Sequence, residues 1–127
     1  MARIMSSARS VLIVEDEPLI AMMLEDFIES MGHTVVSGAE TVEGALALIE
    51  VGGFDFVILD VHLRGRTECW PIADALVERG IPFILATGGH TSTPPAHHAD
   101  VPTLVKPFTM ESVRVALAKG IATGAAA

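Results

Sequence analysis

Four places in this chain carry polar groups to the end of an apolar run: Glu15 and Asp16 after "VLIV", Asp60 after "FVIL", Thr87 after "FILA" and Lys106 after "TLV". Three carboxylates brought together would repel one another and raise a pKa unless a hard cation sat between them. Oxygen-only ligation with retained waters is what Mg²⁺ prefers, which makes Glu15, Asp16 and Asp60 the candidate ligands. Such an ion would shield an incoming phosphoryl group while Lys106 paired with one equatorial oxygen and the Thr87 hydroxyl bonded another. Asp60 would then be the nucleophile that forms an acyl phosphate. Taken singly, each residue has a plainer reading: a strand-end Asp as a loop acid, a Thr in "ATGG" as a turn residue, a Lys before Pro as an exposed cation. Their joint placement at successive strand ends favours the chemical reading.

The elements that must position them are legible in the apolar pattern. "SVLIVE", "TVVSGA", "FDFVILD", "PFILAT" and "TLVK" are strand-like runs rich in β-branched and aromatic residues. Between them, helical spacing covers Pro18 to Met31, Thr41 to Val51, Trp70 to Arg79, and Thr109 to about Ala122. In the first helix Leu19, Met22, Met23, Phe27 and Met31 form one stripe, expected to pack on the core, and Gly32 supplies a stop. Pro18 suits a first helical turn, and Thr41 gives a partial cap signal. Continuous apolar strands separated by helices predict a doubly wound α/β sandwich, a five-stranded parallel sheet covered on both faces. Ligands of such folds bind at the carboxyl ends of the strands, where strand order reverses.

Composition narrows the partners. The 127 residues, half of them hydrophobic, suit one domain with one core. Sixteen acidic against eight basic residues give a net charge of −8, which would repel a nucleic-acid backbone. No apolar run approaches the ~20 residues a membrane span needs, and the start "MARIMSSARS" lacks the apolar middle of a signal peptide, so a cytoplasmic protein is expected. The single cysteine, Cys69, has no second thiol to pair with and reads as a packed or partly exposed thiol.

With "VEDE", "VILDVHL", "ILATGG" and "LVKPF" in this order, the chain over residues 10 to 120 resembles a response-regulator receiver domain, the CheY-like module of two-component signalling. The resemblance implies a flavodoxin-like (βα)5 sandwich, with residues 1–9 as a flexible lead and 121–127 as a small-residue tail. It implies Asp60 as phosphoacceptor, Asp16 as a direct Mg²⁺ ligand, Glu15 as its acidic neighbour, and the His62 backbone carbonyl as a further ligand. Thr87 resembles the switch hydroxyl and Lys106 the phosphate-pairing lysine. The implied partners are a histidine kinase or histidine phosphotransfer protein and a downstream protein target, since no output domain is recognisable. "PFILATGGH" is similar to a stand-alone alphaproteobacterial subgroup with a Phe-Ala-Thr-Gly signature, although Leu85 replaces its Phe.

Departures from the family pattern shape the remaining expectations. Thr103 stands where an aromatic residue usually lies three positions before the lysine, so the usual threonine-to-aromatic coupling lacks its partner. Residues 88 to 102, "GGHTSTPPAHHADVP", occupy the place of the fourth helix but carry Pro94 and Pro95, so that helix is expected to be short, irregular or absent. His90, His97 and His98 there read as part of a solvated, mobile loop; the adjacent pair suits helix-face chelation poorly. Trp70, opening an apolar helix, is expected to pack near the strand-end rim. An alternative is a Mg²⁺-dependent phosphohydrolase of haloacid-dehalogenase type, but that family needs a second Asp two positions after the nucleophile, where this chain has His62. A phosphorylation-independent interaction module is the other alternative.

Overall fold

The computed structural model describes residues 8–63, 67–88 and 94–126, with side chains to residue 122. The strands are β1 (Ser10–Val14), β2 (Thr34–Ala39), β3 (Phe56–Asp60), β4 (Phe83–Thr87) and β5 (Thr103–Val105). The α-helices are α1 (Pro18–Ser30), α2 (Val42–Val51), α3 (Trp70–Glu78) and α4 (Met110–Ala126). A short antiparallel ribbon, His62–Leu63 with Thr67–Glu68, follows β3, and a 3₁₀ turn, Ala96–His98, precedes β5. All five expected strands form one parallel sheet in the order β2-β1-β3-β4-β5.

The uninterrupted hydrophobicity of the central strands β1, β3 and β4 follows from the sheet's two covered faces. Along β1, Leu12 and Val14 point to the side closed by α2 and α3, while Val11 and Ile13 point to the side closed by α1 and α4. On one side Ile49, Ile72 and Leu76 pack over Val57 and Leu59; on the other Leu24, Ile28, Val113 and Leu117 pack over Ile58 and Ile84. Pro18 opens α1 as expected, Gly32 follows it at φ 94°, and the Thr41 hydroxyl accepts from the Gly44 amide at 3.0 Å to cap α2.

Three sequence expectations are corrected here. Leu19 and Met22 are 79% and 57% exposed; α1 buries Leu24 and Ile28, with Ile20, Met23, Phe27 and Met31 packed beside them. Both stripes have helical period, and the angle at which the chain leaves β1 selects the one that meets the sheet. Helix α4 continues through residues 121–126, the segment expected as a tail. Gly120 lets it lie close: a Cβ there would stand 2.5 Å from Ile84 Cγ2 and 2.8 Å from Phe56 Cζ. Residues 94–102 are not simply solvated, because His98 is buried, its ring stacked on Trp70 with centroids 5.8 Å apart. Among the described residues between β4 and β5 only the 3₁₀ turn is helical, in keeping with a short fourth helix; His90 lies outside them.

Candidate functional site

Register places the polar residues on one rim. Val14 lies beside Leu59 and Asp60 beside Ala86, so Glu15, Asp60 and Thr87 emerge at neighbouring strand ends. The Lys106 amide donates to the Thr87 carbonyl at 2.8 Å, which extends the β4–β5 ladder by one bond and holds the lysine at the same edge. The strand order reverses between β1 and β3, and the acids sit at that switch point.

The carboxylates of Glu15, Asp16 and Asp60 each offer an oxygen within 4.8 Å of the others. Glu15 and Asp60 are 3% and 5% exposed, and Asp16 is half-buried. Lys106 Nζ reaches Glu15 Oε1 at 3.0 Å and Asp60 Oδ2 at 3.4 Å. Burial, reinforced by the Asp60 charge, pushes the Glu15 carboxyl up to about 7. Burial likewise raises Asp60, against the pull of Lys106. Burial opposes the charge on Lys106, but its contacts with Glu15 and Asp60 outweigh this and hold the ammonium above its ordinary range. Among the described residues one cation, Lys106, faces three acids, which leaves the pocket short of positive charge.

That shortage is the test of the implied Mg²⁺. The donor set is oxygen only, and the buried Oε1 of Glu15 has the ion contact with Lys106 but no well-aligned hydrogen-bond donor. A hard divalent cation fits such a set. The structure thus brings together Glu15, Asp16, Asp60 and Lys106, with Thr87 buried on the adjoining strand. His62 starts the ribbon, and its exposed imidazole meets Glu68 Oε2 at 3.4 Å, outside the acid cluster. Thr103 is exposed on β5, its hydroxyl donating to the Val101 carbonyl at 3.4 Å.

Two placements were not legible in the sequence. Trp70 donates from Nε1 to Glu68 Oε1 at 3.2 Å, so the indole is tied to the ribbon that follows Asp60. Asp74, one turn on from Trp70, receives both His97 and His98. The i, i+4 spacing of Trp70 and Asp74 was the available signal, but nothing local joins it to histidines 23 and 24 residues away.

A doubly wound parallel sheet whose switch point gathers an aspartate, an acid pair and a lysine defines a class of α/β domain built around one strand-end carboxylate. The chain belongs to the response regulator receiver domain family, which matches residues 11–118. It is therefore a receiver module of two-component signalling. It is similar to the solution structure of SdrG from Sphingomonas melonis Fr1, with 50% identity over 92% of this chain and 96% of that one and a TM-score of 0.78. PhyR from Brucella abortus is 31% identical over 94% of this chain and 50% of that one, also with a TM-score of 0.78. The Phyllosphere-induced regulator PhyR of Methylorubrum extorquens is 37% identical over 82 residues, which are 63% of this chain and 31% of that protein. The chain thus spans about a third of that curated relative. Among the described residues no helix is long and apolar enough to cross a membrane.

Proposed function

We propose that Asp60 accepts a phosphoryl group from the phosphohistidine of a histidine kinase or histidine phosphotransfer protein, and that the phosphorylated domain signals by binding a downstream protein. The observation that carries this is the Asp60 carboxylate at the end of β3, 5% exposed, with Lys106 at 3.4 Å and the oxygens of Glu15 and Asp16 within 4.8 Å. An Asp60 oxygen attacks phosphorus, the P–O bond forms as the P–N bond breaks, and the departing electron pair stays on the imidazole, which then takes up a proton. Glu15, Asp16 and Asp60 would hold Mg²⁺, with the His62 carbonyl as a further ligand. When bound, the ion supplies countercharge to the transferring oxygens. Lys106 would exchange its carboxylate contact for a phosphoryl oxygen, and the Thr87 hydroxyl would follow on the neighbouring strand. The signalling role draws support from relatives, since PhyR is described as a stress response regulator. A hydrolase of haloacid-dehalogenase type needs a second Asp two positions after the nucleophile, and that position holds His62.

The test is labelling by acetyl phosphate with Mg²⁺, or by a phosphorylated kinase, read by intact mass. The native chain should gain one phosphoryl group, and Asp60→Ala and Asp60→Asn should gain none. Undiminished labelling of both variants would remove Asp60 as the acceptor.

A further inference from the structure

Away from the acid pocket, the 3₁₀ turn Ala96–His98 docks on the face of α3 that carries Trp70 and Asp74. The His98 ring is stacked on Trp70, 14° from parallel, and stands 72° from the plane of Phe83 with centroids 6.1 Å apart, so packing fixes its orientation. His98 Nε2 lies 2.7 Å from Asp74 Oδ1, and His97 Nε2 lies 3.0 Å from the same oxygen. Two ring nitrogens thus converge on one carboxylate, all three ligand atoms falling within 4.8 Å of one another.

We propose that Asp74, His97 and His98 form a second metal site, for a borderline divalent cation of the Zn²⁺ class, which ties the 3₁₀ turn to α3. In a tetrahedral site with metal–ligand bonds of about 2.0–2.1 Å the ligand atoms stand about 3.3 Å apart. The observed 2.7 and 3.0 Å contacts therefore need to open by about 0.6 and 0.3 Å, a movement that the exposed Asp74 side chain can supply. Imidazole donors select Zn²⁺, Ni²⁺, Co²⁺ or Cu²⁺ over Mg²⁺, so the two sites sort cations by ligand type. Among the described residues, apart from Asp74 no partner commits His98 to one tautomer: its buried Nδ1 has no hydrogen-bond partner there. On metal binding the ring proton moves to Nδ1 and frees the Nε2 lone pair. The side chains of His97 and Asp74 are 64% and 57% exposed, which leaves a path for the ion and room for water in the remaining position.

The full chain, free of any affinity tag and held in saturating Mg²⁺ to occupy the acid pocket, is titrated with Zn²⁺ by calorimetry and with Ni²⁺ by fluorescence. Trp70 is the only tryptophan, and its ring lies against His98, so Ni²⁺ at this site quenches the emission and Zn²⁺ competes the quench away. Binding should be one to one. His97→Ala and Asp74→Ala, both at exposed positions, should each weaken it by at least about tenfold, while Asp60→Asn leaves it unchanged. Circular dichroism establishes that the variants are folded, and no step depends on the buried His98. Native-like Zn²⁺ affinity in both folded variants, or no saturable quench of the native chain, would overturn the proposal.

Discussion

Replacing Glu15 by Gln should stabilise the metal-free domain at alkaline pH and do little at acid pH. Glu15 is 3% exposed, and its carboxyl is raised from 4.5 to about 7, first by burial and then by the Asp60 charge. A folded-state pKa above the unfolded value means that the native state holds the proton more tightly. That contribution to stability is complete below pH 4.5 and is lost as pH rises through about 7. At 1.36 kcal/mol per unit, the shift corresponds to about 3 kcal/mol by pH 8. That figure already counts the attraction of Lys106, and since the amide of glutamine fits the pocket less well than a protonated carboxyl, the expected gain is roughly 1–3 kcal/mol. For a domain of this size that is a Tm rise of roughly 3–10 °C. Thermal melts by circular dichroism in chelator, at pH 5 and pH 8, measure it directly. Mg²⁺ should then raise the Tm of the native chain at pH 8 more than that of Glu15→Gln, because the ion relieves the same repulsion. Equal Tm differences at the two pH values, or a loss at pH 8, would refute a destabilising buried carboxylate at position 15.

Three further outcomes are expected. Asp16→Ala should weaken Mg²⁺ binding in calorimetry by roughly tenfold or more, since it removes one of the three carboxylates proposed to hold the ion; unchanged affinity would take Asp16 out of the site. Gly120→Ala should lower the urea midpoint by about 1–2 kcal/mol of stability despite the better helix former, because the added methyl meets Ile84 and Phe56 in a filled core; a raised midpoint would show that α4 can lift away at no cost. Cys69 is fully buried and burial pushes its thiol up to about 12, so Ellman's reagent should label the native protein only as fast as it opens; stoichiometric labelling within seconds would place the thiol at the surface.

The sequence alone determined the sheet and the polar residues gathered at its rim. The central strands β1, β3 and β4 are runs of apolar residues too uniform for a half-exposed sheet, so their burial on both faces, and with it the parallel order, could be read locally, whereas the edge strands β2 and β5 are partly exposed. Glu15, Asp60, Thr87 and Lys106 each follow an apolar run, and parallel strands necessarily bring their carboxyl ends to one edge. Tertiary structure decided what no local period encodes. In α1 two overlapping apolar stripes compete, and only the approach of the helix to Val11 and Ile13 chooses Leu24 and Ile28 over Leu19 and Met22. In "GIATGAAA" the small residues look like a tail, yet Gly120 permits contact with Phe56 and Ile84 that keeps α4 on the sheet. The double proline argued correctly against a long fourth helix, but it could not show that His98 would turn inward between Trp70 and Phe83. That contact joins residues far apart in the chain, and its geometry exists only after β4 has been laid beside β3 and α3 has been packed over both.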